Sequence, residues 1–443
     1  MMADIPTDDP VAVAEPTVVP LSRWPMALRA FRHRDFGLFW IGMLVSVMGT
    51  WMQNIAQGWL VLQLVPKNAA PFYLGLVGTC GTAPMLLFTL PAGVVADRIR
   101  KRNLILLTQT LAMVQAFVLT FLVYSHVVQV WHVMVLAACL GAVNAFDMPT
   151  RQAMVLELVQ REDALNAVSL NSSAFNMGRI LGPAVAGVII VKVGLAGCFL
   201  INALSFLAII FALMAIPPRP AASTGRGRMW ENIAEGIRWA KGQTVARALL
   251  MLTMVSGIFA MPYTTIMPVF AKNIFHTDAR GYGLLMLSVG VGALCAAGLL
   301  AGAGHRWRMG SAATFGSLLF PLGLLGLASS PSYLAALGAL FLTGLGFMTY
   351  NAVSNSMLQT APPDGLRGRV MSLRAFVFAG MSPIGAFQIG AVATGLGHAA
   401  ASRLGPAAEQ YGPRGAVAIG AVVCLLAALL VIVLVPQLRR TER

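Results

Sequence analysis

The sequence predicts an all-α membrane protein of twelve transmembrane helices, arranged as two pseudo-symmetric six-helix bundles. Three observations carry that prediction: a deficit of charge, long apolar runs, and an internal repeat. The 443 residues are 58% hydrophobic and only 11% charged, whereas a soluble domain is about 25% charged. Its 31 Lys and Arg and 16 Asp and Glu cannot form the solvated shell that a soluble chain of this size needs. They also cluster, leaving Asn103–Phe146 and Met309–Pro363, 44 and 55 residues long, without a charge. Each of these runs holds two spans of about 20 residues. A soluble enzyme, a DNA-binding protein and a disordered chain are excluded as readings of the whole.

Charges and turn residues divide the chain in order. Residues 1–35 read as a cytoplasmic tail. Its opening is not a signal peptide, because Asp4, Asp8, Asp9, Glu15 and several prolines stand where a cleavable apolar core would lie. A first bundle over 36–216 contains apolar segments at 38–64, 72–96, 103–125, 129–147, 165–190 and 194–216. A polar linker, 217–245, opens with Pro217-Pro218 and ends in an amphipathic helix. Trp230, Ile233 and Ile237 share one face there, while Glu231, Glu235 and Arg238 turn elsewhere. That pattern suits a helix lying on lipid headgroups as well as a solvated linker. The second bundle, 246–436, has segments at 246–271, 281–303, 310–329, 332–359, 371–396 and 414–436. A short cytoplasmic tail, 437–443, closes the chain. These lengths are helical, since a barrel strand needs only about ten alternating residues.

An even number of spans puts both termini on one side, and positive charge says which side. With cytoplasmic termini, 24 Lys and Arg fall inside, 6 fall outside, and Arg179 remains within a span. The formal net charge of +15 is therefore a topology signal and implies no nucleic-acid partner. The bilayer itself is the expected surrounding.

The halves repeat. Gly75-Leu76 is matched by Gly283-Leu284 and Arg98-x-Arg100 by Arg306-x-Arg308, both at an offset of 208. Asn144-Ala145 recurs as Asn351-Ala352, and Pro183 as Pro383. Parallel duplication of this kind suits a transporter that places a midplane site between two rocking halves. A duplicated scaffold or sensor without transport is the alternative from another class. No Walker A loop, H-E-x-x-H cluster or G-x-S-x-G elbow occurs. No enzyme activity, cofactor or metal is expected. The five cysteines all lie in apolar runs without paired spacing and read as small buried hydrophobes.

Intramembrane polar residues supply the candidate site. Arg179 falls 16 residues into the fifth segment counted from Asp163, near mid-bilayer. An arginine there costs about 2.5–3.5 kcal/mol on insertion scales, so it should face a cavity or an acceptor. Asp147 is the acid nearest the membrane interior, with Arg151 one turn later. It is either half of an i, i+4 ion pair or a carboxylate that exchanges a proton as its surroundings alternate. Glu157, Glu162 and Asp163 read as ordinary loop charges. Gln53, Gln57, Asn144, Asn176, Tyr263, Asn351 and Asn355 should point inward, because lipid leaves amides unsatisfied. Met52, Met261, Met267, Phe259 and Met381 are expected to form a pliable apolar wall. Gly178, Gly182, Pro183, Gly187 and Pro383 lie within spans as hinge or packing positions.

The loop Gly93-Val94-Val95-Ala96-Asp97-Arg98-Ile99-Arg100-Lys101-Arg102 resembles the G-x-x-x-D-R-x-G-R-R motif of the major facilitator superfamily. Gly178 through Gly187 is similar to the Gly-Pro element of its antiporters. Phe31-Arg32-His33-Arg34-Asp35-Phe36, Asp147-Met148-Pro149-Thr150-Arg151-Gln152 and Leu366 through Leu373 resemble its branch of macrolide-efflux and enterobactin-export proteins. Two departures stand out. Arg100 replaces the motif glycine, and the fourth span lacks the arginine common in proton-coupled exporters. The resemblance covers roughly residues 28–436. It implies a monomeric secondary transporter of a bacterial cytoplasmic membrane that exports a small amphiphilic compound by alternating access. Inward proton flow, as in an antiporter, is the coupling expected beside it. It also implies a cytoplasmic gate involving Gly93, Asp97, Arg98 and Arg102. Uptake of a solute by the same fold is the alternative.

Overall fold

The computed structural model describes residues 26–218, 229–303 and 308–440, and every regular element in them is helical. An N-terminal group comprises α1 (Arg34–Leu64), α2 (Ala70–Arg98), α3 (Lys101–Tyr124), α4 (Val130–Glu157) and α5 (Ala164–Ala215). The linker helix α6 (Met229–Gly242) leads into a C-terminal group. That group comprises α7 (Thr244–Val255), α8 (Tyr263–Val269), α9 (Ala279–Ala303), α10 (Met309–Ser329) and α11 (Tyr333–Thr360), then α12 (Asp364–Gly380), α13 (Ser382–Leu404), α14 (Tyr411–Leu434) and the short α15 (Gln437–Arg440). Among the described residues, 11 helical stretches are long and apolar enough to cross a membrane.

Four segments differ from the sequence expectation. The fifth and sixth run together as α5, 52 residues long. Drawn straight it would reach about 78 Å, against a hydrocarbon core of about 30 Å. It turns instead at Gly194, whose φ of 84° and ψ of 177° lie where a side chain is strained. The seventh segment is interrupted by π turns at Ser256–Ala260 and Phe270–Ile274 on either side of α8. The eleventh is two helices meeting at Met381, with Pro383 in the first turn of α13, where its missing N–H is tolerated. Pro183, by contrast, is buried within α5.

The tail assignment for 1–35 also changes. Met26–Arg32 form a 3-10 helix held against the corner before α5. Asp163 is 0% exposed there. Its carboxylate meets Arg29 Nε at 3.0 Å, Arg32 Nε at 2.6 Å and His33 Nε2 at 2.8 Å. It is no ordinary loop charge, because a buried carboxylate needs such partners. Glu157 likewise pairs with Lys101. The linker helix is docked rather than free. Gly236 packs against the Arg369 main chain, and Glu235 forms an ion pair with the Arg369 side chain on α12. Ile237 is exposed. The side chains of Trp230, Glu231 and Ile233 lie outside the described residues, as does the stretch from His305 to Trp307.

Candidate substrate cavity and seam

The two helical groups meet where α2 packs on α13 and α5 packs on α9. Glycines bring the backbones together. A Cβ on Gly75 would sit 2.6 Å from the Ala386 carbonyl oxygen, and one on Gly390 would sit 2.6 Å from that of Pro71. Gly187 approaches Ala279, and Gly283 approaches Pro183, in the same way. Thr79 Oγ1 donates to the Pro383 carbonyl at 3.1 Å. The rings of Trp59 on α1 and Tyr282 on α9 stack with centroids 6.2 Å apart. Lys272 Nζ donates to the Leu62 carbonyl at 3.3 Å and lies 5.9 Å from the centre of a Trp59 ring. Trp59, Leu62, Lys272 and Tyr282 lie near the connections 65–69 and 275–278, so the seam is closed at that end.

Below this closure lies a cavity of about 360 Å³ lined by both groups. Asn54, Gln57, Thr82 and Asn144 line it from the N-terminal group, and Thr264, Thr265 and Tyr282 from the C-terminal group. Trp51, Met85 and Met286 add apolar surface. Among the described residues that line it, none is Asp, Glu, Lys or Arg. Such a wall offers hydrogen bonds and dispersion contacts to a ligand and no fixed countercharge.

Of the residues expected at the site, Gln57, Asn144 and Pro183 line this cavity. The others have different surroundings. Gln53, 0% exposed, accepts from Asn202 Nδ2 at 2.6 Å and donates to Gln115 Oε1 at 3.1 Å. It cross-links α1, α3 and α5 inside the N-terminal group. Asp147, 3% exposed, accepts from Thr108 Oγ1 at 2.7 Å and Gln109 Nε2 at 2.8 Å. It also forms an ion pair with Arg151. Arg179 donates to Asn176 Oδ1 at 3.2 Å, one turn earlier on α5. Asn351 accepts from Arg374 at 2.6 Å, and Asn355 is half-buried on the same helix. Gly178 and Gly182 pack α5 against Val47 and Trp51 of α1. Arg102 donates to the Leu213 carbonyl at 2.7 Å, within its own helical group. The side chains of Gly93, Asp97 and Arg98 lie outside the described residues.

Other positions take on a role only in the structure. Arg374, one of the 24 positive charges assigned to the inside, bonds both the side chain and main chain of Asn351 within the helical bundle. Arg179 is therefore not alone. The expected methionine wall is also different, since Met52 and Met267 are buried in the core while Met85 and Met286 face the cavity. Asn54, another polar residue of the first span, is three residues before Gln57 and so on the same helix face, and it lines the cavity with it.

Two helical groups joined along glycine-lined contacts, with an uncharged cavity between them, define a membrane transporter fold. The chain belongs to the transmembrane secretion effector family of the major facilitator superfamily, whose family model matches residues 26–442. It is a transporter and not an enzyme. It is 25% identical to the staphyloferrin A transporter of Staphylococcus aureus, over 78% of this chain and 86% of that one. The multidrug efflux pump Tap of Mycolicibacterium fortuitum is 26% identical over 80% of this chain and 88% of its own. The enterobactin exporter EntS of Escherichia coli is 23% identical over 84% and 89%. Among solved structures, an inward-facing bacterial homologue of the lysosomal transporter Spinster superposes with a TM-score of 0.70 at 12% identity, covering 91% of this chain and 98% of the other. That likeness concerns the fold.

Proposed function

We propose that this chain exports a small amphiphilic compound from a bacterial cytoplasm by alternating access, in exchange for protons. The observation that carries this reading is the uncharged cavity between the helical groups. Its amides, hydroxyls and aromatic rings suit a ligand with both polar edges and apolar faces. The names of the relatives, which include an efflux pump and an exporter, favour export over uptake.

In this reading α5 crosses the bilayer twice about its Gly194 bend, which makes twelve crossings with both termini cytoplasmic. The 24 to 6 division of positive charge supports that orientation. The closed end of the seam is then extracytoplasmic, and the protein is inward-facing, as the Spinster homologue is. Rocking of the groups, acting as a monomer, would part Trp59 from Tyr282 and release the cargo. Asp147 is the proton carrier proposed for coupling, with Arg151 as the cation that takes its place when the acid is deprotonated. Arg179, Asn176, Tyr263, Asn351 and Asn355 are proposed to act at the seam and in the C-terminal group rather than as cavity lining. The loop of Gly93, Asp97 and Arg98 is proposed to close the cytoplasmic end.

Inverted membrane vesicles with an imposed pH gradient test this directly, using a panel of fluorescent amphiphiles. Export coupled to protons predicts filling that collapses when the gradient is dissipated. Filling that is indifferent to the gradient would remove the coupling, and no filling would favour a scaffold.

A further inference from the structure

A second and larger cavity, of about 520 Å³, lies on the other side of the Trp59–Tyr282 closure. Both helical groups line it, and its character is opposite to that of the first. Lys67 enters from the connection after α1, while Lys272, His276 and His398 enter from the C-terminal group. Glu409 is the one acid among its described lining residues. Lys67 and Lys272 bring two positive charges to the same cavity from opposite helical groups. Like charges contributed by separate groups push the seam apart, and the transport cycle described above gives Lys67 no role.

We propose that this cavity binds an oxyanion, carboxylate or phosphate, and that the bound anion ties the two helical groups together at the closed end of the seam. An anion between Lys67 and Lys272 turns a repulsion into two attractions. An ammonium has three donors, and Lys272 uses one on the Leu62 carbonyl, so anion binding adds to the closure without breaking it. Lys272 also contributes to the partition between the two cavities, so occupancy of the basic cavity bears on the exit from the uncharged one. The anion has two sources, a free solute or a lipid headgroup, and both present the same oxygens.

The full chain in phosphatidylcholine nanodiscs, titrated with sodium pyrophosphate at constant ionic strength, tests the proposal. Thermal unfolding followed by tryptophan fluorescence should rise saturably. Lys67→Gln, at an exposed position, should weaken half-saturation about tenfold, Lys67→Arg should retain it, and the Lys67→Gln/Lys272→Gln pair should abolish it. Amide exchange over 71–75 and 269–274 should slow several-fold when the anion is bound. If a headgroup is the source, nanodiscs containing phosphatidylglycerol raise the unfolding temperature on their own and blunt the pyrophosphate response, through Lys67. If the source is a free anion, that response is unchanged by phosphatidylglycerol. A missing saturable shift, or one that survives in the double variant, would overturn the site. Binding without slower exchange would overturn the tie. These readouts measure binding, so they stand or fall separately from the export reading.

Discussion

Trp59 and Tyr282, one from each helical group, lie face to face with ring planes 17° apart, and Lys272 rests beside the tryptophan. The stack sits between an uncharged cavity and a basic one, so it separates two environments that a passing solute meets in turn. An aromatic pair contributes about 0.5–1.5 kcal/mol beyond its area burial. That is small against folding but large against an equilibrium between two arrangements of the same helices.

Trp59→Ala should therefore shift the population toward opening at that end, by up to about tenfold. A cysteine placed at Thr265 in the cavity, in a background without the five native cysteines, should label faster with an impermeant maleimide on whole cells. Unchanged labelling would show that the stack contributes nothing to closure.

Gly390→Ala separates seam closure from stability. In an ordinary helix interior Gly→Ala gains about 0.5–1 kcal/mol. Here the new methyl would meet the Pro71 carbonyl at 2.6 Å, and only in the closed arrangement. The expected outcome is a protein that unfolds no more easily, yet labels faster at position 265. Slower labelling would mean that the α2–α13 contact relaxes without parting.

Asp147→Asn should lower thermal stability, because removing one partner of a buried ion pair costs about 3–5 kcal/mol. The Asp147→Asn/Arg151→Gln double variant should recover most of that loss. Transport in whichever of these variants folds then addresses coupling. An unchanged rate with Asn at 147 would end the case for a proton carrier there.

In the uncharged cavity, Gln57→Leu and Asn144→Leu should each weaken substrate binding up to about tenfold, the worth of one hydrogen bond. Gln53→Leu should instead reduce stability, since its amide ties α1 to α3 and α5. Equilibrium binding of a transported amphiphile, measured beside unfolding temperature, distinguishes the two outcomes.

Arg179→Leu removes a half-buried positive charge that bonds Asn176 on α5. Transport should fall while substrate binding to the purified protein is kept, because the residue does not line the cavity. Retention of both would reduce Arg179 to packing.

The sequence reading placed charges by their position along the chain and so misjudged those whose role depends on a distant partner. Asp163 looked like a loop acid because nothing nearby in sequence marks it as buried. Its cations come from Arg29 and Arg32, some 130 residues away. Arg374 was counted with Arg367 and Arg369, but its partner Asn351 is on another helix. Gln53 and Gln57, four residues apart, share one helix face. A face near the seam end meets the cavity at one turn and the bundle interior at the next, and helical period alone does not tell these apart.

By itself, the sequence determined the helical membrane class, the order of the apolar segments and the resemblance that the family match bears out. These follow from hydropathy and local motifs, which act over one turn or one bilayer thickness. Tertiary structure alone decided which polar groups face the cavity, that α5 bends at Gly194 without a loop, and that Trp59 meets Tyr282. Those outcomes depend on how two helical groups lean together, and that is set by backbone contacts between glycines far apart in the chain.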